Sequence, residues 1–204
     1  MNRRLTIALL PLVALCASCT LTPPRAQEPA TLAFPPVTEA VRAAPFVPPL
    51  LIFPIDAPSW LETRLLYLRR AGSLTIRAHR RAVWIASLPG LLSGSLRASL
   101  IPHERPGAPA LALHVHLFDL EETVTQGQAH VVFVARTRLA SLLPSVPERV
   151  RLWTLTTTVF PGARAEARAI VTLDRRFNAR VLRWLVRATQ GSGGNGLKEK
   201  RPSH

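Results

Sequence analysis

The sequence is poor in cysteine, in acid and in long apolar runs. Only two cysteines occur in 204 residues, both before residue 20, so no disulfide framework can form in the body of the chain and no Cys-x-x-Cys pair is available for thiol chemistry. Twelve Asp and Glu stand against 26 Lys and Arg, a formal charge of +14. No closely spaced pair of carboxylates flanked by a base is present, and there is neither a glycine-rich phosphate loop nor a nucleophile elbow. These absences remove the usual constellations of a soluble enzyme, and the sequence is read as noncatalytic, with no cofactor. Disorder throughout is excluded too, because 48% of residues are hydrophobic and only 19% charged.

The longest apolar stretch, Leu5 to Leu15, follows the positive end Arg3-Arg4 and is too short to span a bilayer in the usual way. Cys16-Ala17-Ser18-Cys19 comes next, with small residues before the second cysteine. This arrangement resembles the lipobox of bacterial lipoproteins, which implies a signal peptide over 1–18 and acylation of Cys19. An ordinary cleaved signal and an uncleaved anchor are the plainer alternatives. Thr20, rather than Asp, after that cysteine resembles the arrangement that lets such proteins reach the outer membrane. Without residues 1–18 the charge falls by Arg3 and Arg4, to +12.

What the chain has in excess is proline. Eleven of 19 prolines fall within residues 1–60, and past the signal the apolar residues between them keep no period. Proline fixes φ and removes a donor, so residues 19–48 are expected to be an extended tether. The folded domain is expected over 49–188, starting with an edge strand at Pro49 to Phe53, and a disordered tail over 189–204.

Periodicity starts at Thr63. Thr63 to Arg69 and Ser73 to His79 read as a hairpin about Arg70-Ala71-Gly72, with Leu65 and Tyr67 sharing one face and Leu74, Ile76 and Ala78 another. Pro89 suits the first turn of a helix carrying Leu91, Leu92, Leu96 and Leu100, which ends by Pro102. Alternation at Leu111 to Phe118, at Val131 to Arg136 and at Arg151 to Phe160 predicts three more strands, the first two joined through a turn region at Glu121 to Gln128. Ala163 to Ala188 is the clearest helix. Ile170, Leu173, Phe177, Val181, Trp184 and Leu185 recur on one side, and Arg164, Arg168, Arg175, Arg176, Arg180, Arg183 and Arg187 hold mainly the other positions. The expected fold class is α+β: a single domain, a mainly antiparallel sheet of about four to six strands, and two principal helices packed on it.

Three sets of residues bear on function. His114 and His116 share a strand face and His130 opens the neighbouring strand, so these imidazoles are the candidate metal ligands; Asp119 is expected mostly on the opposite face, and a half-solvated sheet face is the plainer reading. Ser93 and Ser95 read as small helix residues rather than nucleophiles. Asp119, Glu121 and Glu122 read as a solvated turn. The arginine row suits anionic headgroups, an acidic protein surface or plain solvent, and nucleic acid is set aside because no aromatic residues interleave with it.

The order of these features carries a resemblance. A lipobox, a proline-rich leader, an apolar strand ending near Asp56, Arg64-x-x-Tyr67-x-Arg69, Trp84 ahead of Pro89, a leucine-rich helix, the Leu113-x-Val115-x-Leu117-Phe118-Asp119 strand and a final helix with Leu173-Asp174 and Trp184 together resemble the ABC-type transport auxiliary lipoproteins of the paraquat-inducible C type. Ile85 and Ala86 follow Trp84 where that family usually has an acidic residue, and Pro89 stands alone where a pair is common. The resemblance implies a noncatalytic lipoprotein at the periplasmic face of the bacterial outer membrane, held through Cys19. Its partner would be a periplasmic MCE-domain protein of a lipid transport system, with phospholipid as a further contact. Tyr67, Arg69, Trp84, Pro89 and Phe118 would define the fold, with Tyr67, Arg69, Trp84, Phe118, Arg176, Arg180 and Arg183 as partner-contact candidates. The alternative role is an envelope-assembly or cell-wall-associated lipoprotein.

Overall fold

A computed structural model describes residues 29–36, 47–142 and 148–190. The expected signal peptide, Cys19, residues 19–28 and 37–46 of the expected tether, and residues 191–204 lie outside the described residues. Seven strands and two principal helices form a single α+β domain: β1 (Ala30–Leu32), β2 (Leu50–Ile52), β3 (Leu65–Arg70), β4 (Ile76–Trp84), α1 (Leu88–Leu100), β5 (Leu111–Thr125), β6 (Gln128–Ser141), β7 (Arg149–Val159) and α2 (Ala163–Gln190).

The sheet is larger and more mixed than expected. Its order is β1-β4-β3-β5-β6-β7, with β2 also on β5. Pairs β3–β4, β5–β6 and β6–β7 are antiparallel, whereas β1–β4, β2–β5 and β3–β5 are parallel. The one added strand, β1, is three residues long, too short to show a period of two, and lies inside the expected tether, while β2 falls within the strand expected at Pro49 to Phe53. Within the range expected as a tether, Ala30–Leu32 pair with β4, and Val47 is fully buried and bonds its N–H to the His103 carbonyl at 2.8 Å. The parallel β3–β5 pair follows from α1, which carries the chain across between β4 and β5.

Local chemistry sets most of the element ends. Ser87 caps α1 by accepting the Gly90 N–H at 3.3 Å, and Pro89 sits in the first turn, where its missing donor is not needed. The β5–β6 hairpin turns on Gln126 and Gly127 alone, at φ 50° and 74°, so the strands run much further than the turn region expected at Glu121 to Gln128. Two residues with positive φ match the twist of the flanking strands.

Helix α2 lies on β7, β6 and β4 and against α1. Ile170, Leu173, Phe177, Val181 and Leu185 are buried, as their spacing predicts, while all seven arginines of the row are exposed. Leu113, Val115 and Leu117 of β5 and Val131, Phe133 and Ala135 of β6 point into the same core. The opposite sheet face is open.

One expectation about faces holds and one is overturned. Leu65 and Tyr67 do share a face of β3, the half-buried one, while Leu66 and Leu68 on the other face are fully buried. Leu74 is 96% exposed and does not join a face with Ile76. It belongs to the turn between β3 and β4, so the alternation of the second strand was read back into residues that are not strand.

Candidate functional site

The arginine row of α2 borders a cleft over the end of β7. Arg180, Arg183, Arg187 and Trp184 come from the helix, and Arg151 to Thr154 from the strand, around a volume of about 400 Å³. Arg151 stacks over the Trp153 ring at 4.8 Å, and Trp153 meets Trp184 edge-on at 6.3 Å. Trp153 is locked from below, its indole N–H donating to Thr137 Oγ1 at 2.9 Å. Among the described residues no carboxylate pairs with Arg180, Arg183 or Arg187. Arg176 is different, since its guanidinium donates to the Thr156 carbonyl at 2.8 Å. A second cleft of about 700 Å³ lies between β1 and the first half of α2, with Leu32, Trp84 and Ala167 along it and Arg164, Arg168 and Arg175 among its lining.

The residues carried by the resemblance do not gather at this face. Trp84 is 1% exposed and meets Phe34 edge-on at 5.6 Å, so it packs the core and offers little to a partner. Arg69 pairs with both Asp119 and Glu121 on the open face of the sheet, which answers the charge of Arg69 locally. Tyr67 is half-buried on the same strand. Phe118 is exposed, with the Arg136 guanidinium 5.2 Å from its ring centre and His116 edge-on at 4.4 Å.

The proposed imidazole set does not converge. His114 and His116 pair with Arg138 and Arg136 on β6, whereas His130 faces Thr123, seven residues further along β5 and roughly 20 Å away at the rise of a strand. His114 stacks on Phe53 at 4.2 Å, His116 Nδ1 lies 2.6 Å from Asp56 Oδ2, and His130 meets the Thr158 hydroxyl at 3.0 Å. Asp119 is also not on the opposite face from them. A bulge between Leu117 and Asp119 reverses the alternation, so Asp119 and Glu121 join the open face and Leu120 and Glu122 turn inward.

That reversal builds a cluster the sequence did not suggest. His79, Glu122 and Glu166 bring three donor atoms within 4.8 Å of one another. His79 reaches inward as the cross-strand partner of the buried Leu66, Glu122 because of the β5 bulge, and Glu166 from the first turn of α2. Exposure of the His79 side chain is 8% and that of Glu166 is nil, and His79 Nε2 lies 2.6 Å from Glu166 Oε2. The other Glu166 oxygen accepts the Gly162 N–H at 2.8 Å, and Arg77 lies 3.5 Å from Glu122 Oε2. Burial pushes the Glu122 carboxyl up, and the neighbouring Glu166 adds to the rise. Burial also acts upward on Glu166, but the His79 and Gly162 donors outweigh it and leave that carboxyl below its usual range. Glu122 was hidden from the alternation because β5 shifts phase midway.

Ser93 and Ser95 serve as helix ties. Ser93 Oγ accepts the Ile55 N–H at 2.8 Å and donates to the Pro89 carbonyl at 2.7 Å. Ser95 donates to Asp174 at 2.5 Å, where Asn178 also donates at 3.3 Å. Among the described residues no helix is long and apolar enough to cross a membrane.

No protein-family model and no curated protein sequence matches the chain. Solved structures do share its fold. One is a Xanthomonas campestris protein assigned to DUF330, with a TM-score of 0.64 and 14% identity over 81% of this chain and 96% of that one. Another, described as an uncharacterized protein, gives 0.59 and 13% over 78% of this chain and 99% of the other. At such identities the likeness is one of fold.

Proposed function

We propose that this chain is a noncatalytic lipoprotein, anchored through Cys19 at the periplasmic face of the outer membrane, that serves as the auxiliary component of an MCE-type lipid transport system. The observation that carries the reading is the uncompensated row of Arg180, Arg183 and Arg187 beside the Trp153–Trp184 pair. Exposed guanidinium groups without internal partners, next to rigid indoles, suit docking to an acidic protein surface. Arg176, tied to the Thr156 carbonyl, helps to hold the helix face in place. The cleft beside β1, with an apolar stretch and three arginines, supports contact with a phospholipid as well.

Anchoring and docking separate experimentally. In cells fed a radiolabelled fatty acid, the wild-type chain is expected to take up label and fractionate with the outer membrane, and Cys19→Ser is expected to lose both properties. Label retained by Cys19→Ser would remove the anchor from this account. Two acyl chains suffice for stable anchoring where one is marginal.

A further inference from the structure

The His79, Glu122 and Glu166 cluster lies apart from the arginine cleft, and the docking role leaves it unused. It joins three elements that are distant in sequence: β4, β5 and the first turn of α2. His79 Nε2 faces Glu166 Oε2 at 2.6 Å as a buried ion-pair contact, and Glu122 Oε1 beside them is buried without a hydrogen-bond partner. Such atoms carry a desolvation cost unless something fills the space between them. The remaining oxygens are already engaged. Glu166 Oε1 takes the Gly162 N–H, and Glu122 Oε2 faces Arg77, so each carboxylate turns its other oxygen toward the centre.

We propose that His79, Glu122 and Glu166 form a binding site for one divalent transition metal ion, with zinc as the best fit, which staples the N-terminus of α2 to the sheet. One imidazole nitrogen and two carboxylate oxygens form a donor set suited to zinc. Two carboxylates and a neutral imidazole also balance a doubly charged ion. The donor atoms lie within 4.8 Å of one another, and small side-chain rotations bring them to the roughly 2 Å bonds that zinc requires. Glu122 and Glu166 are 5% and 0% exposed, so a substrate has no path to the ion and its role is structural. The Gly162 N–H holds Glu166 from behind, as a supporting bond for a ligand should.

The test uses the full chain purified in detergent, stripped with chelator and titrated with zinc chloride. One equivalent is expected to bind and to raise the unfolding temperature, and Glu122→Gln, Glu166→Gln and His79→Gln are each expected to weaken binding at least ~10-fold. His116→Ala, at the exposed Asp56 pair, should leave the titration unchanged. Should a cluster variant fail to fold, X-ray absorption at the zinc edge of the wild-type protein still decides the matter. A shell of nitrogen and oxygen with one imidazole supports the site; sulfur in the shell, or several imidazoles, overturns it. Absence of a one-equivalent site also overturns it and leaves the cluster as a buried ion pair sharing a proton.

Discussion

Asp174 shows how much one buried carboxyl can govern. It sits 1% exposed between α1 and α2, where burial pushes its pKa up to about 7 against the opposing pull of Ser95, Asn178 and the charge of Arg175. The folded chain therefore holds this proton more tightly than the unfolded chain does. Its contribution is fully present below pH ~4, declines as the pH rises to about 7, and is level beyond, a swing on the order of 4 kcal/mol. Asp174→Asn keeps the acceptor for Ser95 and removes the titration. Chemical unfolding across this pH range is expected to show a shallower loss of stability in the variant than in the wild type; parallel curves would contradict the placement of that proton. The residue's position on α2 was legible from the Leu173-Asp174 pair, but its partners were not. Ser95 and Asn178 meet it across 79 residues and across one helical turn, and only the first needs tertiary structure to be seen.

At the scale of elements, amphipathic periodicity was the reliable guide. Helix α2 buries the apolar positions its spacing marks, and β6 alternates as read. The misreadings occur where strands change phase or are too short to have one. The bulge at Leu117/Asp119 moved Asp119 to the histidine face and Glu122 into the core, beside His79, which pairs across the strands with the buried Leu66. Since a shift of one residue exchanges every later side chain between faces, a single bulge is enough to hide a buried cluster from pattern reading. Strand β1 pairs parallel to β4 through three residues and nothing local marks it, whereas β2 falls within the apolar run expected as a strand at Pro49 to Phe53. The energetic asymmetry of α2 gives a direct check. Phe177, packed on Phe133 at 5.3 Å between ring centres, is expected to cost about 3–5 kcal/mol on replacement by alanine. Arg183→Ala, on the exposed side, is expected to change stability by less than ~0.5 kcal/mol. Urea unfolding of the two variants measures both, and equal losses would mean that α2 is held by its arginines rather than by its apolar side.

Across the whole molecule, the charge divides into compensated and uncompensated parts. On the open sheet face Arg69 is answered by Asp119 and Glu121, and Arg138 by Glu148 at 2.7 Å. On the helix face Arg180, Arg183 and Arg187 have no such answer among the described residues, and the adjoining indoles are braced by Thr137 and by one another. Composition registered the excess of +14 without saying where it was free, and the helical period placed seven arginines on α2. The cleft itself needed the packing of α2 on β7. Complementary charge of this kind acts mainly on encounter rate and specificity and weakens with salt. The most direct measurement is co-purification of the periplasmic MCE subunit with the acylated chain from detergent-solubilised envelopes, comparing wild type with the Arg180→Glu, Arg183→Glu, Arg187→Glu variant at matched unfolding temperature. The account predicts that recovery falls at least ~10-fold in the variant and declines with added salt in the wild type; undiminished recovery at every salt concentration would contradict it.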